Sequence, residues 1–182
     1  MLCGIDEAGR GPIAGDLVIA GCILHSKIEG LADSKKLTPK RREELYEQII
    51  SQSSYHIVKI PPNVIDTNGI SLCMKRALLE IKSTLVASSY LFDGNTNFGV
   101  IGIETMIKAD GKVAEVSAAS IIAKVTHDRD ILDLDLLYPH YDLAKHKGYA
   151  TALHIERIKE YGYSPIHRKS FRLKALMPTL DL

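Results

Sequence analysis

Four carboxylates stand where short apolar runs end: Asp6 and Glu7 after the run Leu2 to Ile5, Asp93 after Tyr90-Leu91-Phe92, and Asp110 after Met106-Ile107-Lys108-Ala109. Gathered at one side of a sheet, such acids repel one another and hold their protons more tightly, so a divalent cation is their natural partner. An all-oxygen donor set suits Mg2+ or Mn2+, and no Cys/His set has zinc spacing. Two such ions can activate a water and stabilise the leaving oxygen of a phosphodiester, which is nuclease chemistry. Any one of these acids alone fits a turn or a helix cap equally well. Asp6 and Glu7 are adjacent, so strand alternation sends their side chains to opposite faces unless the strand bends, and at least one is expected on the functional side.

Directly after the first two acids comes Gly9-Arg10-Gly11-Pro12. Flanking glycines permit backbone angles barred to other residues and let a substrate approach the main chain, while Pro12 stiffens the exit. The segment lacks the Gly-Lys-Ser/Thr ending of a P-loop and does not match the dinucleotide fingerprint. It suits recognition of a nucleic-acid sugar or phosphate by backbone groups; as a bare Gly-x-Gly it is only a tight turn.

The elements that must position these groups follow from periodicity. Leu2 to Ile5 and Leu17 to Leu24 read as a β-hairpin, and Tyr55 to Ile60 as a third strand stopped by Pro61-Pro62. Thr38-Pro39 caps a helix running to about Ile50. Leu72, Ala77, Leu78, Ile81 and Leu85 recur at helical intervals, which predicts a core helix from Ser71 to Leu85. Tyr90 to Phe92 and 102–108 read as strands, Val113 to Leu134 as a long helix with the small residues Ser117 to Ser120, and Thr151 to Tyr161 as a last helix. Antiparallel strands followed by strands alternating with helices predict an α/β domain with a mixed central sheet flanked by helices. We expect one catalytic domain over residues 1–182, including a short helical and basic C-terminal portion.

At 182 residues with 46% hydrophobic and 25% charged side chains, the chain can bury its own core, and disorder is excluded. A net charge of +1 excludes binding of nucleic acid by overall basicity, so local clusters must serve. Three exist: Lys35, Lys36, Lys40, Arg41 and Arg42; Lys145, His146 and Lys147; and His167, Arg168, Lys169, Arg172 and Lys174. Any one of them alone also fits a solvated surface. Cys3, Cys22 and Cys73 are scattered among apolar residues, as free thiols in a reducing compartment would be. With no leader-like start and no stretch able to span a bilayer, a cytoplasmic enzyme with no membrane contact is expected.

The run Gly4-Ile5-Asp6-Glu7-Ala8-Gly9-Arg10-Gly11-Pro12 resembles the signature of ribonuclease HII. Further blocks resemble that family in the expected order: Asp33-Ser34-Lys35-Lys36-Leu37, Phe92-Asp93-Gly94-Asn95, Lys108-Ala109-Asp110, Ser117 to Val125, Lys145 to Tyr149 with Thr151, and His167 to Phe171. The resemblance implies an RNase H-like fold with Asp6, Glu7, Asp93 and Asp110 as catalytic and metal-binding acids, most directly the first three. It implies that Gly9, Arg10 and Gly11 read the 2′-hydroxyl of a ribonucleotide, which distinguishes RNA from DNA. Tyr149 would stack on the following deoxyribose. The implied substrates are RNA–DNA hybrids and duplex DNA containing single ribonucleotides or primer remnants, cut on the 5′ side to leave a 5′-phosphate and a 3′-hydroxyl. Lys35, Lys36, Lys147 and Arg168 are the candidates for phosphate contacts.

The chain departs from the family pattern in two places: His127 stands before Asp128 where the family usually has Arg, and Gly15-Asp16 replaces the commoner Gly-Pro. Asp128 is an alternative fourth acid, but it falls inside a predicted helix. Two rivals remain at this level. The sister family ribonuclease HIII prefers longer ribonucleotide stretches, and a non-catalytic binding module would leave the acids as turn residues. The tail Leu176 to Leu182 faintly resembles segments that dock on a sliding clamp. A monomer is expected.

Overall fold

The computed structural model describes residues 1–31, 37–173 and 176. Its centre is a five-stranded sheet of order β3-β2-β1-β4-β5. Strands β1 (Leu2–Ala8), β2 (Leu17–Leu24) and β3 (Ser53–Ile60) form an antiparallel meander, with Gly4 opposite Cys22 and Leu17 opposite Ile60. Strands β4 (Ser89–Asp93) and β5 (Glu104–Met106) add in parallel on the far side of β1. The expected mixed α/β sheet is therefore present.

Alternation along β1 and β2 divides the apolar side chains between two layers. Cys3, Ile5, Leu17 and Ile19 face Met74, Leu78 and Ile81 of α3 (Ile70–Thr84). Val18, Ala20 and Cys22 face Leu45 and Ile49 of α1 (Pro39–Ser51) and Ala118, Ile121 and Ile122 of α4 (Ala114–Leu137). The small residues predicted to let α4 approach the sheet do so. A Cβ built on Gly4 would lie 2.2 Å from the Glu115 carbonyl carbon and 2.3 Å from the Val116 nitrogen, so the first turn of α4 rests on the backbone of β1. Helix α1 starts as expected, with the Thr38 hydroxyl accepting from the Arg41 amide at 3.2 Å.

Two short helices were not foreseen. Pro61-Pro62 does end β3, but Pro62 also opens α2 (Pro62–Asn68), because proline is compatible with a first helical turn. Helix α5 (Leu143–His146) is framed by Asp142 and Lys147, both left-handed with φ of 54° and 52°. The strand expected over 102–108 pairs only through Glu104–Met106, an edge segment with all three residues exposed. After α6 (Ala152–Tyr161) the chain returns to the segment following β1: Ala14 bridges His167, and the Arg168 amide donates to the Ile13 carbonyl at 2.7 Å. Ile13, Ile131, Tyr141, Leu143, Ile158 and Ile166 form a small second core there. Among the described residues no helix is long and apolar enough to cross a membrane.

Candidate active site

Register brings the first two acids together. Ile5 pairs with Phe92 across parallel strands, which sets Asp6 beside Asp93 one residue on. Both stand two positions beyond residues that face α4, and so on the same face of the sheet: Gly4 lies under its first turn, and Leu91 packs with Val116. Asp110 arrives differently from the expectation of a strand end. The chain turns at Lys108, left-handed with φ 57°, into a single 3-10 turn, Ala109–Gly111. That turn is tied to β4 and α4: the Ala109 amide donates to Asp93 Oδ1 at 3.1 Å, and Ser117 Oγ of α4 donates to the Asp110 carbonyl at 2.6 Å. One carboxylate oxygen from each of Asp6, Asp93 and Asp110 then lies within 4.8 Å of the others.

Asp6 is 7% and Asp110 5% exposed. Burial pushes the Asp6 carboxyl well above the usual range, the Glu7 and Asp93 charges add to this, and bonds from Ser120 and from the Glu7 amide at 2.8 Å oppose it. Uncompensated negative charge of this kind is what a divalent cation relieves. Oxygens facing each other across an octahedral Mg2+ are about 4 Å apart, so the spread of the acids fits small hard cations. Glu7 lies outside this group of three. Its carboxylate instead meets Arg10, with Oε1 3.5 Å from Nη1, and the guanidinium lies over the Phe98 ring at 5.5 Å.

Asp6 and Glu7 also line a cleft of about 340 Å³ with Gly9, Arg10, Gly11, Ser120, Lys124, His127 and Tyr149. Gly9 has φ +79°, and a Cβ there would lie 2.5 Å from His127 Cδ2 and 2.6 Å from the Asp16 carbonyl oxygen. The His127 ring and the Asp16 carbonyl are thus the floor beneath the turn. Gly11 faces Tyr149, whose Cε1 would be 3.4 Å from an added Cβ. Tyr149 is 49% exposed, so its ring is not part of the core. Gly9→Ala is expected to cost about 2 kcal/mol or more, from the left-handed penalty plus displacement of His127. A lowered urea midpoint, with weaker binding of an RNA–DNA duplex, is the measurement.

One phosphate candidate needs correction. Arg168 is wholly buried; Nε and Nη2 donate to the Gly15 carbonyl at 3.1 and 2.8 Å, and Nη1 to the Arg10 carbonyl at 3.3 Å. Burial lowers its guanidinium to about 10. A run of basic letters looks like surface, but the return of the chain against Ile13 and Ala14 turns this one inward. Lys147 lines a neighbouring depression with Arg42 and Arg129 rather than the cleft. Lys35 and Lys36 lie outside the described residues. Asp128 is inside α4, as expected, and its Oδ1 receives Lys124 Nζ at 2.8 Å. Lys124 itself was missed, although it stands four residues from Ser120 and belongs to the same helical face.

The family described as Ribonuclease HII matches residues 3–174. The chain is 54% identical to the Ribonuclease HII of Sulfurovum sp. (strain NBC37-1), covering 98% of this chain and 96% of the relative. It is 56% identical to that of Aliarcobacter butzleri (strain RM4018), covering 96% and 92%. Among solved structures, the RNase HII in the PCNA:RNase HII complex from Archaeoglobus fulgidus superposes with a TM-score of 0.83 at 30% identity, covering 100% of this chain and 98% of that one. The ribonuclease H2 of Pyrococcus horikoshii OT3 gives 0.79 at 32%, covering 93% of each. A chain of Bst-RNase HIII shares the fold at 0.75 but only 19% identity, covering 93% of this chain and 66% of its own. The expected RNase H-like fold is therefore present. Because the family match begins in the first strand and runs past Arg168, and relatives of nearly equal length share half the residues, the chain belongs to the ribonuclease HII family and is a hydrolase of the ribonuclease H type.

Proposed function

We propose that the protein hydrolyses the RNA strand of RNA–DNA hybrids and cuts duplex DNA on the 5′ side of a single embedded ribonucleotide, leaving a 5′-phosphate and a 3′-hydroxyl. One observation carries this reading: Asp6 belongs both to the close group of acids and to the cleft bordered by the Gly9-Arg10-Gly11 turn and Tyr149. Chemistry and choice of substrate then share one residue and one short turn.

Asp6, Glu7, Asp93 and Asp110 would hold Mg2+ or Mn2+, two ions during the reaction. Bound there, the cations would supply positive charge to the scissile phosphate and would lower the pKa of the attacking water. The protein's own groups do the rest. Gly9 and Gly11 leave the backbone bare, so peptide groups of the turn can meet a 2′-hydroxyl, which both donates and accepts. Arg10, anchored by Glu7, extends the turn toward solvent. The exposed ring of Tyr149 offers a flat apolar face to a sugar lacking that hydroxyl. Lys124 and Lys147, with Lys35 and Lys36, would neutralise backbone phosphates without reading bases.

This activity suits removal of misincorporated ribonucleotides and primer remnants, in the cytoplasm and as a monomer; the buried free thiols Cys3, Cys22 and Cys73 agree with a reducing compartment. A sliding-clamp contact through the tail belongs to the same proposal, supported by the relative solved with PCNA. Apart from Leu176, that tail lies outside the described residues.

The test is a duplex DNA with one embedded ribonucleotide, incubated with Mg2+, Mn2+ or EDTA. A single cut 5′ of the ribonucleotide is expected with metal and none in EDTA. Binding without metal-dependent cutting, or cutting of ribonucleotide runs alone, would refute the proposal.

A further inference from the structure

We infer that His154 and His167 are positioning residues for Tyr149, a buried pair that grips its backbone and so aims its ring across the cleft from Gly11. The inference rests on the proposed role of Tyr149 and extends it to residues outside the cleft.

Tyr149 sits between α5 and α6 with half its surface in solvent, so side-chain packing alone does not fix it. Its backbone is held instead. The Tyr149 amide donates to the His146 carbonyl at 3.0 Å, and its carbonyl accepts from the Thr151 amide at 2.8 Å and faces His154 Nδ1 at 2.9 Å. Only a protonated nitrogen can meet a carbonyl oxygen, so Nδ1 of His154 carries the proton and Nε2 has the lone pair. That Nε2 lies 3.1 Å from Nε2 of His167, which must therefore be the donor. His167 Nδ1 is left as the acceptor, and it receives the Ser164 amide at 3.0 Å. One proton arrangement satisfies every contact, running from Ser164 through two neutral imidazoles to Tyr149.

The surroundings preserve that arrangement. His154 is wholly buried and His167 is 2% exposed. The His146 ring stacks on His154 at 4.2 Å, and the Tyr141 ring meets His167 edge-on at 4.7 Å. Burial lowers both imidazoles to about 4, which keeps them neutral near pH 7.

His167 also directly precedes Arg168, which donates to the carbonyls of Arg10 and Gly15. Two adjacent residues thus hold the opposite walls of the cleft, one through His154 to Tyr149 and the other at the glycine turn. Gly148 ties the walls together: its carbonyl accepts from the Ile13 amide at 2.9 Å, and a Cβ on it would lie 2.5 Å from the Ala14 oxygen. Nothing in this relay touches the acid group, so its loss is a loss of substrate placement.

A double-mutant cycle tests this, using wild type, His154→Leu, Tyr149→Ala and the double variant on the single-ribonucleotide duplex. Each single variant is expected to raise KM about tenfold with little change in kcat, and the double variant to be no worse than Tyr149→Ala alone. Mn2+ binding, followed by calorimetry, should match wild type throughout. His154→Asn, which keeps a donor near the Nδ1 position, should recover most of the loss. If His154→Leu does not melt cooperatively, His167→Asn takes its place in the cycle, since it keeps an acceptor for the Ser164 amide but loses the donor to His154. Losses that multiply in the double variant, or weakened Mn2+ binding in the histidine variants, overturn the inference. Wild-type behaviour of Tyr149→Ala would instead count against the role proposed for Tyr149 itself.

Discussion

Replacing Asp6 by Asn lowers cleavage by at least about 10³-fold while making the metal-free protein melt a few degrees higher. The two effects have one cause. Asp6 is buried beside Glu7 and Asp93, and burial followed by the Glu7 charge raises its carboxyl well above the usual range. A group whose pKa is raised by folding stabilises the fold when protonated, below its ordinary carboxylate range, and that contribution is lost as pH rises through the folded value. Above the ordinary carboxylate range the raised pKa of Asp6 is therefore a cost to the metal-free fold, and Asn removes it. Mg2+ or Mn2+ should raise the melting temperature of wild type, by binding the native state alone, and should shift the variant far less. Calorimetric melts with and without metal, paired with cleavage rates, provide the check; an Asn variant that still cuts at wild-type rate would remove Asp6 from the site. Asp93→Asn should also abolish cleavage; its Oδ1 can still accept from the Ala109 amide, but without the charge that bond to the Asp110 turn is weaker.

Replacing Arg168 by Leu is expected to cost about 3–5 kcal/mol of stability and most of the binding of RNA–DNA duplexes. Leucine removes a buried charge that burial already disfavours, as the guanidinium lowered to about 10 records. It also leaves the Gly15 and Arg10 carbonyls without their donors, in a place water reaches poorly. Arg168→Lys keeps the charge but cannot fork between two carbonyls, and should recover less than half of the loss. Urea midpoints report the stability, and duplex titration at several salt concentrations reports the binding. An Arg168 that contacted phosphate would instead reduce the salt dependence of binding with the fold intact.

These two residues mark what could be read in the letters and what could not. Asp6, Asp93 and Asp110 were recognisable because a carboxylate after an apolar run must emerge at an element's end, and strand alternation and register then decide its neighbours. The helix from Ala114 was legible because small residues and helical spacing persist over many turns. Short elements were not: α2 hides behind two prolines, α5 spans four residues, and neither is long enough for a periodic signal. Asp110 was expected from a strand and came from a turn, because the left-handed Lys108 has no distinctive residue type.

By itself the sequence determined the mixed sheet, the acids available for a metal site and the glycine turn beside them, since each depends on residue type and local periodicity. It left undecided how adjacent letters divide their work. Asp6 and Glu7 look equivalent in the chain, yet one joins the acid group and the other pairs with Arg10. His167 and Arg168 read as a basic surface, yet both are buried and hold the two walls of the cleft. The inward turn of Arg168 comes from contacts across more than a hundred residues of chain, with Gly15 and Arg10, and long-range packing of that kind has no local period to betray it.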